Sequence, residues 1–271
     1  MQSSFPTAPL RVTLVQNQAG DNRLANLAWI EQALPSDLAT DLIVLPELFA
    51  CRGSDEQYRA QAEALDGPLS AWLGALAHRN RAWVLAGSVL EREGAQIYNT
   101  TLLFNRAGKL ASTYRKIHLF EAHLENGTFI RERDLYQAGD QPVLVSIDSW
   151  CAGLSICYDV RFPELYRHYT RHGAHLLLIP ANFTQRTGRD HWEVLVRARA
   201  IENQCFVLAP DQCGANPHTH SLSYGHSLAI GPWGETLAAA ADTPTVLQVT
   251  LEPERLRATR ACVPALAHRR L

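Results

Sequence analysis

Three short segments carry residue types that belong together chemically. In DLIVLPELF an unbroken apolar run and a proline lead to Glu47. In STYRKIHLF, Lys116 follows a strand-like stretch and precedes a long polar loop. In LSICYDVRFPEL, Cys157 ends an apolar strand and meets a polar turn that runs into a helix. Taken singly, each has an ordinary structural explanation: a solvated carboxylate, a surface cation beside Arg115, a buried inert thiol. Taken together they make a reaction. A thiol attacks carbon as the thiolate, which needs a neighbouring base or positive charge. Glu47 can take the proton, and Lys116 can stabilise both the thiolate and the anionic oxygen of a tetrahedral intermediate. Backbone N–H groups at the strand-to-helix turn can face the same oxyanion. No histidine is required.

The elements that must position these side chains alternate between short apolar strands and amphipathic helices. Arg11 to Gln16 reads as a strand, followed by a helix with Asp21 as N-cap and Leu24, Leu27, Ile30 and Leu34 as its apolar face. Asp41 to Leu45 is a buried strand by its unbroken apolar content, ended by Pro46. Ser54 with Gln57 three residues on predicts a capping box for a helix to about Ala64, and Leu69 to His78 predicts a second helix. Strands are expected at 83–90, 96–104 and 110–114, with Gly in the EREG and NRAGK turns. The aperiodic stretch 117–140 is longer than most connections in compact domains, which points to function.

Further strands are expected at 143–147, 153–156, 174–179, 205–209, 228–230, 236–237 and 246–251. A helix should start at Pro163 and stop at Gly173. Another should follow a capping box at Asp190 and Glu193, with Trp192, Leu195 and Ile201 turned to the core. No composition break or fixed-period repeat divides the chain, so residues 1–271 read as one α/β domain. Its sheets should be mixed, because hairpins interrupt the βα alternation.

Composition removes several function classes. With 25 basic and 27 acidic residues among 271, no global field favours nucleic acid or an anionic membrane. The start MQSSFPTAPL lacks the basic and apolar regions of a secretory signal, and no apolar run approaches the ~20 residues of a membrane span. The six cysteines (Cys51, Cys151, Cys157, Cys205, Cys213, Cys262) form no CxxC pair and sit mostly in apolar segments. They read as reduced thiols of a cytoplasmic protein. Cys213, His218, His220 and His226 offer zinc donors within one short segment, a competing metal-site reading. Their spacing matches no established pattern of paired ligands, and a solvated His-rich loop is the simpler reading. A third alternative is a binding scaffold that keeps such a site without turnover.

LPELF, YRKIHLF and ICYDVRFPEL resemble the Glu, Lys and Cys signatures of the nitrilase superfamily, the carbon–nitrogen hydrolases. They stand in that family's order, with 69 residues from Glu47 to Lys116 and 41 more to Cys157. The resemblance continues through HWEVLVRARAIENQCFVLAPDQCG, YGHSLAIGPWGE and VPALAHRR, and so covers nearly the whole chain. It implies an αββα four-layer sandwich with two mixed β-sheets, assembled as a homodimer or larger oligomer through the α layer. It implies Glu47 as general base, Lys116 as the cation on the intermediate, and Cys157 as the acyl-accepting nucleophile.

A second glutamate that shapes the site in this family corresponds to Glu132, although the usual RES triplet reads RER here. Tyr158 would lend its backbone N–H to the oxyanion. Arg161, Asn182, Phe183 and Thr187 lie in segments that neighbour the substrate in relatives. The implied substrate is a small-molecule amide, with neither metal nor organic cofactor. The flanks RFPEL, HWEVLVRARAIE, CFVLAPDQCG and SYGHS look most like the deaminated glutathione amidase branch; the ω-amidase branch, and nitrile or N-carbamoyl hydrolysis, share the three signatures. The histidines of GANPHTHSLSYG depart from that pattern, which leaves substrate length open.

Overall fold

The computed structural model describes residues 5–35, 38–123 and 129–270. The strands in chain order begin with β1 (Leu10–Gln16), β2 (Leu42–Val44), β3 (Trp83–Glu93), β4 (Gln96–Phe104) and β5 (Leu110–Arg115). A small hairpin of β6 (Glu121–His123) and β7 (Phe129–Arg131) follows. Then come β8 (Leu144–Ile147), β9 (Trp150–Leu154), β10 (Leu176–Leu178) and β11 (Phe206–Ala209). A second hairpin of β12 (Cys213–Ala215) and β13 (Leu222–Tyr224) precedes β14 (Leu228–Ile230), β15 (Thr236–Ala239) and β16 (Thr245–Leu251). The main helices are α1 (Arg23–Ala33), α2 (Asp55–Gln61), α3 (Pro68–Asn80), α4 (Pro163–Arg171), α5 (Glu193–Asn203) and α6 (Pro253–Cys262).

Two six-stranded sheets result, ordered β16-β1-β2-β3-β4-β5 and β15-β14-β11-β10-β9-β8. Each has a parallel centre, β1-β2-β3 in one and β9-β10-β11 in the other, bordered by antiparallel strands. The alternation of side chains along β2 shows how the layers stack. Leu42 and Val44 pack into the core shared with the second sheet, beside Leu154, Leu177 and Phe206. Ile43 and, just beyond the strand, Leu45 face the opposite way, onto Ile30 of α1 and Leu73 and Leu76 of α3. A period of two on a strand covered on both faces gives the unbroken apolar run seen in the sequence. On the far side, Tyr166 and Tyr169 of α4 and Val196 and Ala200 of α5 join the core of the second sheet. The order helix, sheet, sheet, helix is the expected αββα sandwich. Each fully buried aliphatic side chain contributes about 1.5–3 kcal/mol, so the strand leading to Glu47 is fixed from both faces.

The helix ends differ from expectation in informative ways. Asn22, not Asp21, caps α1, its Oδ1 accepting the Ala25 N–H at 3.1 Å. Asp21 instead binds Gln57 and His218. Leu24 is 78% exposed, because α1 starts at Arg23 and its buried stripe runs through Asn26, Leu27 and Ile30. The Ser54–Gln57 capping box forms as expected on α2. No cap forms at Asp190: the chain enters α5 from a helical turn at Gln185–Thr187 through a π-helical turn, Gly188–Trp192. The buried stripe of α5 then follows Trp192 with Val196, Ala200 and Asn203, leaving Leu195 half-buried and Ile201 exposed. Beyond Asp148, whose φ is +50°, β9 begins at Trp150 and not at Gly153.

Within the aperiodic stretch 117–140 the structure places β6, β7 and a 3₁₀ turn at Glu132–Asp134, while 124–128 lie outside the described residues. Residues 1–4 of the polar start also lie outside them. Helix α6 and the β12–β13 hairpin had no periodic signal in the sequence. No helix among the described residues is long and apolar enough to cross a membrane.

Candidate active site

Glu47, Lys116, Glu132 and Cys157 meet at one end of the two sheets, beside a cavity of about 550 Å³ lined by three of them (Glu47, Glu132 and Cys157). Glu47 follows β2 directly, and its place depends on a close approach of backbone. A Cβ on Gly87 would stand 2.0 Å from the Leu45 carbonyl oxygen and 2.4 Å from that of Pro46. Only glycine lets β3 run under this corner, at a point where its pairing with β4 is also irregular. The Glu47 carboxylate is then fully engaged. Oε1 accepts from Asn99 Nδ2 at 2.9 Å and Lys116 Nζ at 3.0 Å; Oε2 accepts the Asn182 N–H at 2.8 Å.

Lys116 leaves the end of β5 with its backbone N–H bonded to the Asn99 carbonyl at 2.9 Å. Its ammonium is buried and bridges Glu47 to Glu132, whose Oε1 lies 2.9 Å away. Glu132 opens the 3₁₀ turn after β7, and its Oε2 accepts the Phe120 N–H at 2.7 Å. Burial works against the lysine's charge, but Glu132, Glu47 and Cys157 outweigh it and hold the pKa well above the ordinary lysine value. For Glu132, burial raises the pKa and Glu47 adds to it, against the pull of Lys116.

Cys157 sits in the turn after β9 with φ of +48°, a left-handed conformation rare for a residue with a side chain. Its N–H donates to the Pro180 carbonyl at 2.8 Å, which pins the turn to the chain beyond β10. The thiol is buried. Burial and then the Glu47 charge push its pKa well up, while Lys116 and the Asn182 N–H pull the other way. At rest the sulfur therefore keeps its proton, with a carboxylate and an ammonium as its charged neighbours. Such a set suits proton removal at the moment of attack and not a standing thiolate.

The remaining residues expected at the site all line the cavity: Tyr158, Arg161, Asn182, Phe183 and Thr187. The Arg161 guanidinium lies 5.8 Å from the Tyr158 ring and 5.3 Å from the Phe183 ring. It meets the ring of His191 at 3.4 Å but no carboxylate among the described residues. Asn182 serves through its backbone, while its Oδ1 accepts from Ser223 at 2.5 Å. Phe183 donates its N–H to the buried Asp211 at 2.8 Å.

Sequence reasoning missed Asn99, Asp211 and Asp159. Asn99 had one signal, a polar residue inside the otherwise strand-like QIYNTTLLF. The donors of the competing zinc reading stand in other contacts. His218 pairs with Asp21, the His226 ring meets the Tyr224 carbonyl, and Cys213 is buried in β12. No group of three or more such side chains among the described residues can hold a metal.

The chain as a whole is similar to known proteins. Residues 11–261 match the family model of the carbon-nitrogen hydrolases. A deaminated glutathione amidase of Synechocystis sp. (strain PCC 6803 / GT-S) is 39% identical over 96% of this chain and 98% of its own. An omega-amidase, NIT3 of Saccharomyces cerevisiae, is 32% identical over 99% of this chain and 96% of its own. Among solved structures, Saccharomyces cerevisiae Nit3, a member of branch 10 of the nitrilase superfamily, is 30% identical with a TM-score of 0.87, over 100% of both chains. Four-layer architecture and near full-length similarity agree, and this chain belongs to the carbon–nitrogen hydrolase family.

Proposed function

We propose that the protein hydrolyses the amide of a small carboxylate-bearing substrate to a carboxylic acid and ammonia through a thioester on Cys157. The observation that carries this reading is the contact of one buried ammonium with two carboxylates, Glu47 and Glu132, beside a protonated thiol. In the first half-reaction Glu47 takes the Cys157 proton as sulfur attacks the carbonyl carbon. Lys116 and the Tyr158 N–H hold the oxygen as it becomes an anion. Glu47 passes the proton to the leaving nitrogen, the C–N bond breaks, and ammonia departs. In the second half a water gives its proton to Glu47 and attacks the thioester; the carbon–sulfur bond breaks to release the acid, and Glu47 returns the proton to the Cys157 sulfur. Glu132 keeps Lys116 aimed and charged. No metal or organic cofactor takes part.

The cavity volume falls within the ~300–1,000 Å³ of small-molecule sites, roomy for a short amide and suited to a longer acyl chain. Arg161, with no carboxylate of its own, is placed to receive an acidic group of the substrate. Deaminated glutathione fits both features and is the substrate named for the Synechocystis relative. Ammonia release should be measured in parallel from deaminated glutathione and α-ketoglutaramate, with Cys157→Ala as the blank. Preference for deaminated glutathione supports the reading. Preference for α-ketoglutaramate moves the protein to ω-amidase activity, as named for the yeast relative. The same reading has the enzyme working in the cytoplasm as a homodimer or larger assembly. Exposed Val194, Ile201 and Trp233 on the outer side support that assembly.

A further inference from the structure

Asp159 is completely buried and takes no part in the steps above. Its carboxylate oxygens are shared among groups that flank the two reacting side chains. Oδ2 accepts from the Tyr114 hydroxyl at 2.7 Å, and Tyr114 lies two residues before Lys116. Oδ1 accepts the His118 backbone N–H at 3.0 Å, and His118 lies two residues after Lys116. The His118 ring also reaches Oδ1, at 2.7 Å from Nδ1, which places the ring proton on Nδ1. Oδ2 also accepts the N–H of Ile156, the residue before Cys157, at 2.8 Å. The Asp159 N–H returns a bond to the Ile156 carbonyl at 3.0 Å.

These contacts join parts of the molecule that nothing local would hold together. Tyr114 lies next to the end of β5, the edge strand of the first sheet, whereas the Cys157 turn leaves β9 of the second. The chain carrying Lys116 thus has sheet neighbours on one side only. On the other side the His118 ring lies flat on Phe162, with ring centres 3.7 Å apart and planes inclined by 7°. The Phe162 N–H in turn donates to the Asp159 carbonyl at 3.0 Å.

We propose that Asp159 is a positioning residue that locks Lys116 to the Cys157 turn by gripping both flanks of the lysine. Its carboxylate fixes where the ammonium stands relative to the sulfur, and so how well the cation meets the oxyanion. A displacement of about 1 Å in such a group can cost on the order of 100-fold in rate.

The proposal rests on the roles given above to Lys116 and Cys157. Amide turnover by the intact protein, absent in Cys157→Ala and in Lys116→Met, establishes those roles first and separately. Then kcat and KM are measured for Asp159→Asn, Tyr114→Phe, His118→Ala and His118→Asn, with thermal unfolding as the check on folding. Asn at 118 places an amide N–H near where the imidazole Nδ1–H stands, and so restores the donor. Asp159→Asn should lose about 100-fold in kcat with KM within about threefold of the parent. His118→Ala should lose about tenfold, and His118→Asn should recover most of it. Retention of kcat within about twofold by Asp159→Asn overturns the proposal; if that variant does not fold, the same result in both Tyr114→Phe and His118→Ala does so. A loss confined to KM, or His118→Asn as impaired as His118→Ala, also overturns it.

Discussion

The ammonium of Lys116 stands 3.0 Å from the carboxylate of Glu47, and neither side chain has more than 3% of its surface exposed. With Glu132 at 2.9 Å on the same nitrogen, two carboxylates share one buried cation at the edge of the cavity. Burial first, and then the Glu47 charge, explain why the thiol beside them stays protonated at rest. The lysine in turn is held charged by the acids, so one group serves both the resting site and the oxyanion.

Replacing Glu47 by Gln should separate its electrostatic from its catalytic effect. Turnover should fall on the order of 1,000-fold, the scale of a lost general base. The Cys157 titration should nonetheless move to lower pH, because the Glu47 charge is one of the causes that raise it. The rate of Cys157 alkylation by iodoacetamide against pH reads this directly; a midpoint that stays or rises contradicts the arrangement.

Lys116→Met leaves Glu47 and Glu132 buried without their cation. Loss of one partner from a buried ion pair costs about 3–5 kcal/mol, and the variant should show this in denaturant at pH 7. An acid whose folded pKa is raised destabilises above that pKa and ceases to do so as it takes up its proton. The deficit should therefore shrink between pH 7 and pH 5, and a deficit that grows toward pH 5 contradicts the assignment.

His175 gives a separate pH dependence, far from the site chemistry. Burial, helped by Arg260, pulls its pKa down to about 4, and its Nδ1 accepts the Cys151 N–H at 3.3 Å. Neutral imidazole is thus favoured in the folded state. Its contribution is complete above the unfolded pKa near 6.5 and is lost as pH falls toward about 4, by roughly 2 kcal/mol after solvent screening. Denaturation midpoints from pH 7 to pH 4 should show that decline, and His175→Gln should flatten it.

Arg161→Ala should act on substrate charge. A charged hydrogen bond contributes about 1.5–3 kcal/mol, so kcat/KM for an acidic amide should fall by roughly 10- to 150-fold. An uncharged aliphatic amide should be turned over as before. Equal losses on both substrates would show that Arg161 serves structure and not recognition.

What the sequence revealed follows from physical locality. Glu47 and Cys157 were legible because each ends a strand buried on both faces, where an apolar run stops at one reactive side chain. Lys116 became legible in their company, and Glu132 only through family resemblance. Asp159 was not, because its partners Tyr114 and His118 lie 45 and 41 residues away and pair with it only when the two sheets stack. Leu24 and Ile201 misled because helical spacing gives a stripe but not its phase, and a cap or a π-helical turn sets where the stripe begins.

The central claim is that acyl transfer passes through Cys157, and hydroxylamine trapping during steady-state amide hydrolysis tests it most directly. A thioester intermediate diverts part of the product from acid to acyl hydroxamate, and Cys157→Ala yields neither product nor ammonia. Continued ammonia release by Cys157→Ala, or turnover by the parent protein with no hydroxamate at any hydroxylamine concentration, would contradict it.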